Sequence, residues 1–310
     1  MDRIIVTPRS LSDPPHPLLE RLRDAGYEVV FPAPGKRPQP AEVEPYIGEA
    51  VGYLAGVEPV PAELLERAGK LRAISRNGTG VDNVDLAAAE RLGIQVLRAA
   101  GANARGVAEL TLAHLFAAAR DIAQHAVWMR DGEWKRIKGF ELAGRTLGLV
   151  GCGKIGQIVA ELALGLGMRV RAYDPFPDSS FAPRGDFAFA AIDDVLLTGD
   201  VVSLHAALAP GEPAVLDRER IAALRHGAVV INTARYELID ADAMREALDS
   251  GQVARLTLDA YPEEPPADRR LVDHGSVIAT PHIGGFTGES VDRATEAAVE
   301  NLLEALGGGD

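Results

Sequence analysis

Residues 147–150 form a short apolar run, Leu-Gly-Leu-Val, and Gly151-Cys152-Gly153-Lys154-Ile155-Gly156 follows it without a gap. Residues 157–166 then carry apolar side chains at helical spacing, and Asp174 stands 18 positions beyond Gly156 at the end of the next predicted strand. A Gly-x-Gly-x-x-Gly string alone arises by chance. With a strand before it, a helix after it and an acid at this distance, it restricts the chain to a βαβ unit of the dinucleotide-binding kind. Each part has a physical reason. Gly151 allows a tight turn, Gly153 lets backbone approach a pyrophosphate, and Gly156 permits close packing of helix on strand. The helix start presents unpaired N–H groups to phosphate. Asp174 would accept hydrogen bonds from ribose hydroxyls and repel a 2′-phosphate, which favours NAD over NADP. The plainer alternative is a glycine-rich turn of some other α/β fold, and Cys152 reads as a small loop residue rather than a nucleophile.

Short apolar runs alternate with helical patterns along most of the chain. Strands are predicted at 3–6, 27–31, 51–54, 71–75 and 94–97, with helices at 18–25, 62–68 and 84–92 between them. A helical pattern from 103 to 129, apolar around much of its circumference, leads into strands at 146–150, 169–173, 201–204, 228–232, 256–259 and 277–279. An amphipathic helix at 289–306 closes the series. Such alternation implies parallel sheets wrapped by helices. The expected fold class is α/β, with two doubly wound parallel-sheet domains of Rossmann or flavodoxin type and an active-site cleft between them. Burial of the long helix, within the protein or between subunits, follows from its apolar circumference.

Composition excludes several functions. The 310 residues are 47% hydrophobic and 25% charged, as in ordinary globular proteins. Lys+Arg 32 against Asp+Glu 45 gives a net charge of −13, an unfavourable field for a nucleic-acid partner. One Cys excludes a disulfide framework and a cysteine metal cluster, and no other metal-ligand spacing stands out. No apolar leader opens the sequence and no run approaches the ~18 residues of a membrane span, so a cytoplasmic location without membrane partners is expected.

Three further motifs fall at the ends of predicted strands, where open α/β sheets bind ligands. They are Asn232-Thr233-Ala234-Arg235, Asp259-Ala260-Tyr261-Pro262-Glu263-Glu264-Pro265, and Thr280-Pro281-His282-Ile283-Gly284-Gly285. Arg235 offers a bidentate fork for a carboxylate, His282 a proton acceptor near neutral pH, and Glu264 a carboxylate to orient the imidazole. Singly, each has a bland reading: a surface ion pair, a solvated acid, a simple turn. Their occurrence together, in this order after the glycine turn, favours hydride chemistry.

The combination resembles the D-isomer-specific 2-hydroxyacid dehydrogenase family, and within it the D-3-phosphoglycerate dehydrogenase branch. The resemblance runs from about Leu71 to Thr295 and includes residues 75–85, Ser-Arg-Asn-Gly-Thr-Gly-Val-Asp-Asn-Val-Asp. It implies that Asn77, Gly78, Thr79, Gly80 and Val81 bind the substrate carboxylate through backbone. It implies that Arg235, Glu264 and His282 are catalytic, His282 taking the hydroxyl proton while C2 of the substrate gives its hydride to NAD. Besides the three glycines, the implied cofactor contacts are Thr79, Lys154, Ile155, Asp174, His205, Thr233, Ala234, Asp259 and Gly284, with Asp259 also tuning the pH response. It implies a substrate-binding domain of residues 1–100 plus 286–310, an NAD-binding domain of residues 101–285, and a homodimer with the helix from Asn103 in its interface.

The pattern also departs from the family. Tyr236 replaces the usual glycine after the arginine, and either contacts substrate or points to solvent. The stretch after His205, through Ala209 and Pro210, loses a proline and a threonine. Arg76 and Arg136 match anion-binding arginines of phosphoglycerate dehydrogenases, but a further arginine expected near residues 54–56 is absent. A small anionic 2-hydroxy acid is the expected substrate, with a hydroxyalkyl phosphonate as the alternative. A non-catalytic NAD(H)-sensing binding protein on the same scaffold and a Rossmann-like methyltransferase are the competing classes. The strand-end residues argue against the methyltransferase.

Overall fold

The computed structural model describes residues 1–208 and 211–307. Ala209 and Pro210, the end of the altered stretch after His205, lie outside the described residues, as do residues 308–310. The chain divides into two compact units, residues 1–103 with 285–310 and residues 104–284.

The first unit contains β1 (Arg3–Val6), α1 (Arg9–Ser12), α2 (Glu20–Asp24), β2 (Glu28–Val30), α3 (Pro40–Ile47), β3 (Ala50–Ala55), α4 (Ala62–Leu65), β4 (Ala73–Arg76), α5 (Leu86–Arg91) and β5 (Gln95–Arg98). Its parallel sheet has the order β2-β1-β3-β4-β5. All six residues of β3 are buried, as a central parallel strand covered on both faces requires.

The second unit begins with α6 (Ala104–Arg120) and α7 (Ile122–Arg130). It continues through β6 (Thr146–Val150), α8 (Lys154–Gly165), β7 (Arg169–Tyr173), β8 (Phe187–Phe189), α9 (Ile192–Thr198) and β9 (Val201–Leu204). It ends with α10 (Arg218–Ala223), β10 (Ala228–Asn232), α11 (Ala241–Ser250), β11 (Val253–Leu258) and β12 (Val277–Ala279). Its seven parallel strands run β12-β11-β10-β9-β6-β7-β8. The final helix, α12 (Gly288–Gly307), belongs to the first unit. There its Ala298, Val299, Leu302 and Leu306 close a core with Ile4, Val6, Leu22 and Leu54.

Local chemistry sets the helix ends. Asp85, Asp217 and Asp240 each accept a hydrogen bond from a backbone N–H of the first turn of α5, α10 and α11. Gly251, at φ +77°, ends α11 in the left-handed conformation.

The single helix predicted from 103 to 129 is divided. Asp121 adopts φ +50°, a conformation that Asp tolerates better than most residues, and separates α6 from α7. Its buried carboxylate is ion-paired at 2.5 Å with Arg255 of β11. Apolar periodicity carries no record of one residue's dihedral angle, so the break does not show in the sequence pattern. The two halves then differ. Ten residues of α6 are buried within the unit, whereas none of α7 is.

Candidate active site

In the second sheet the strand order reverses at β6, with β9 on one side and β7 on the other. The crevice beyond the strand ends at such a point is where α/β sheets bind ligands. The glycine turn occupies that place. Gly151 has φ +93°, and a Cβ there would lie 2.6 Å from the backbone of His205 and Ala206, just past β9. A Cβ on Gly156 would lie 2.3 Å from the Gly151 carbonyl oxygen, so only glycine lets α8 pack this closely on the turn. At Gly153 a Cβ would meet nothing within 4 Å among the described residues. That open space beside the α8 N-terminus, with Lys154 and Ile155 in its first turn, is a cradle of the shape and polarity that a pyrophosphate fits.

Asp174 is tied to the same turn. Its Oδ2 accepts from the Cys152 N–H at 2.8 Å and its Oδ1 from the Phe176 N–H at 2.9 Å. Each oxygen keeps a lone pair for a further donor such as a ribose hydroxyl. Burial pushes the Cys152 thiol up to about 11, with the charges of Asp174 and Asp178 adding to the effect. A protonated thiol is a poor nucleophile. His205 is bonded through Nε2 to Ser203 Oγ at 2.8 Å, while its Nδ1 is buried with no hydrogen-bond partner among the described residues. Burial pushes its pKa down to about 4, which keeps the ring neutral. The open cradle, the tethered acid and the orphaned ring nitrogen together fit a dinucleotide.

Arg235, Glu264 and His282 follow β10, β11 and β12, which are consecutive neighbours in the sheet. Asn232, buried at the end of β10, staples the turn that carries Arg235. It donates to the Arg235 carbonyl at 2.7 Å and accepts from the Ala234 N–H at 3.1 Å. Thr233 Oγ1 lies 3.0 Å from Thr111 Oγ1 of α6. His282 Nδ1 and Glu264 Oε1 are 2.6 Å apart, and the side chains are 45% and 28% exposed. The ring faces a carboxylate on one nitrogen and leaves Nε2 for proton exchange. The Glu264 hydrogen bond raises the pKa of His282 above its ordinary value of 6.5. Burial opposes the shift, the charges of Glu264 and Asp259 reinforce it, and Arg235 opposes it.

His282 adopts φ +52°, and the loop that holds it there is fixed by Asp259. Asp259 is 1% exposed. It accepts from the Ile283 N–H at 2.9 Å, the Gly284 N–H at 2.8 Å and Thr280 Oγ1 at 2.5 Å. A Cβ on Gly284 would lie 3.0 Å from the same carboxylate. Behind Thr280 stands His114 of α6, whose Nε2 lies 3.1 Å from the threonine hydroxyl. Neither His114 nor Thr280 was identified as functional from the sequence. His114 sits in an apolar helical pattern and Thr280 opens the strand-end motif that carries His282, and only the fold brings the two together.

The residues predicted for substrate fall in different settings. In the first unit Arg76 is 7% exposed. It donates through Nε to the Gly80 carbonyl at 2.9 Å and through a terminal nitrogen to the carbonyls of Ala55 and Gly56. It therefore braces the 77–81 loop. The Asn77 N–H is bonded to the Ala55 carbonyl, and Asn77 Oδ1 is buried without a partner among the described residues. The N–H groups of Gly78, Thr79, Gly80 and Val81 meet no acceptor among the described residues. Thr79 Oγ1 is 3.1 Å from Asn103 Oδ1. Beside this loop, at the end of β3, the buried Glu58 carboxylate accepts from Tyr53 at 2.8 Å, from the Gly56 N–H at 3.0 Å and from Thr7. Nothing in the spacing of Glu58 in the sequence marks it as buried. In the second unit Arg136 is exposed, and Tyr236 packs against the apolar core. Burial raises the Tyr236 pKa, and the charges acting on its hydroxyl are Asp268, Arg270, Asp242 and Glu237.

A glycine cradle at the sheet's reversal point and an imidazole–carboxylate pair at neighbouring strand ends define a dinucleotide-dependent oxidoreductase. Known proteins agree. Residues 112–284 match the family described as D-isomer specific 2-hydroxyacid dehydrogenase, NAD binding domain. A hydroxypyruvate reductase of Thermotoga maritima is 40% identical over 253 residues, covering 80% of this chain and 82% of its own length. A D-3-phosphoglycerate dehydrogenase of Methanocaldococcus jannaschii is also 40% identical, but the chain spans only 48% of that protein. Among solved structures, the TT0316 protein of Thermus thermophilus superposes with a TM-score of 0.88 at 40% identity, covering 99% of this chain and 97% of that one. A D-lactate dehydrogenase of Aquifex aeolicus, complexed with NAD and lactic acid, gives 0.85 at 25% identity, covering 98% and 96%. The chain belongs to the D-isomer specific 2-hydroxyacid dehydrogenase family, and its cofactor is NAD.

Proposed function

We propose that the protein interconverts a small D-2-hydroxy acid and its 2-oxo acid, with His282 as the proton carrier. The observation that carries this reading is the 2.6 Å bond between His282 Nδ1 and Glu264 within the NAD-binding fold. NAD, when bound, supplies the acceptor or donor of the hydride. In oxidation His282 Nε2 takes the hydroxyl proton, and Glu264 stabilises the imidazolium that results. Reduction returns that proton to the carbonyl oxygen. Arg235, on its stapled turn, is suited to pair with the acid group of the substrate.

The first unit is proposed to contribute substrate binding, through the N–H groups of Gly78 to Val81, which meet no acceptor among the described residues, a backbone arrangement that favours anions. Arg76 then serves the substrate indirectly, by shaping that loop. With Arg76 turned onto carbonyls and Glu58 buried beside it, a substrate whose carboxylate is its principal charge suits the loop better than a phosphorylated one. Relatives named for hydroxypyruvate and lactic acid suggest compounds of that size. We also propose a homodimer formed through α7, whose Ile122, His125, Ala126 and Met129 line one exposed groove. A reducing compartment, the cytoplasm, suits the single buried cysteine.

The test is NADH oxidation across glyoxylate, pyruvate, hydroxypyruvate and phosphohydroxypyruvate, with His282→Ala as control. Turnover on the unphosphorylated acids is expected, falling about 10²- to 10⁴-fold in the variant. Tight NADH binding with no turnover on any acid would overturn the reading.

A further inference from the structure

The hydrogen-bond chain behind the His282 loop has a fixed direction. Asp259 receives two backbone N–H groups, from Ile283 and Gly284, and therefore acts as an acceptor on both oxygens. Thr280 has one hydroxyl proton, and its shortest contact is 2.5 Å to Asp259 Oδ1. His114 Nε2, 3.1 Å from that hydroxyl oxygen, must then be the donor. His114 is 3% exposed on α6. Desolvation lowers its pKa while the Asp259 charge works against that shift. The next link reaches the peptide units that flank His282 on its C-terminal side. The His282 backbone has φ +52°, a conformation that needs support from its surroundings.

We infer that His114 is a positioning residue for His282, acting through Thr280 and Asp259. The inference rests on the reading of His282 as the proton carrier. The charged groups acting on His282 are Glu264, Asp259 and Arg235, and the one acting on His114 is Asp259. With the His114 donor removed, the Thr280 hydroxyl is free to turn to its other acceptor, the Leu258 carbonyl at 3.4 Å. Asp259 then loses its third donor and holds the loop less firmly. The bond from His282 to Glu264 depends on that loop, so it weakens and the His282 pKa falls back toward its ordinary value.

Four variants test this: His114→Leu, Thr280→Val, the double variant, and His114→Gln, whose amide can donate in place of the imidazole. In His114→Leu, kcat should drop about 10-fold or more, because small displacements of a reacting group are costly. KM and Kd for NADH should stay within about 2-fold. The His282 ring titration, followed by NMR and independent of turnover, should shift downward. The double variant should be no worse than the more impaired single variant, because linked residues do not add. His114→Gln should restore most of kcat. A wild-type kcat and His282 titration in His114→Leu, or effects that multiply in the double variant, would overturn the inference. If His114→Leu does not fold, Thr280→Val decides on the same readouts. A wild-type rate in His282→Ala would instead sink the proton-carrier reading on which all of this rests.

Discussion

At the scale of single residues, His282 owes its raised pKa chiefly to Glu264. The Glu264 hydrogen bond is the largest influence on its pKa and acts upward, against burial. Glu264→Gln keeps the shape and removes the charge, so the His282 pKa should fall. In reduction the imidazolium is the proton donor, and the rate is lost as pH rises through its pKa. The variant should therefore lose reductive kcat/KM at lower pH than wild type, with about 10- to 100-fold less activity at pH 7–8. A pH profile of NADH oxidation checks this, and an unmoved midpoint would show that Glu264 does not set it. The sequence made the three strand-end residues legible because each follows an apolar strand run. Their partners were not legible. His114 looks like one more residue of a buried helix, and Glu58 like a loop acid, since burial of a polar side chain is a property of the fold rather than of the local pattern.

At the scale of elements, the glycine turn makes two demands that substitution can separate. At Gly153 a Cβ meets nothing within 4 Å among the described residues, whereas at Gly156 it would press on the Gly151 carbonyl at 2.3 Å. Gly153→Ala should keep the wild-type melting temperature and bind NADH at least about 10-fold more weakly. Gly156→Ala should lose both stability and NADH binding. Calorimetry and fluorescence titration distinguish these outcomes, and wild-type NADH affinity in Gly153→Ala would mean that the cradle holds nothing. Buried parallel strands were easy to read. Residues 146–150, 169–173, 201–204 and 228–232 coincide with β6, β7, β9 and β10. Short or strained features were not. Helix α3 starts at Pro40, outside every predicted helix, and β8 has only three residues. The break at Asp121 depends on an ion pair to a strand far along the chain, which no local window contains.

At the scale of the whole molecule, α7 leaves apolar side chains exposed. Ile122 is 52% exposed and Met129 59%, and they line one groove. Under the proposed homodimer, Ile122→Asp with Met129→Asp should give a monomer in sedimentation experiments at micromolar concentration, while a wild-type monomer would remove the proposal. The order of the chain has another consequence. The first unit's core is completed by α12, whose Leu302 and Leu306 reach the site of Gly52 in β3. On the ribosome the N-terminal strands emerge first. They then wait on the order of 10 seconds or more for their covering helix, while the intervening unit is synthesised and folds. For that interval an apolar sheet face is bare. Premature termination upstream of α12 would leave that face bare for good, which makes it a route to aggregation.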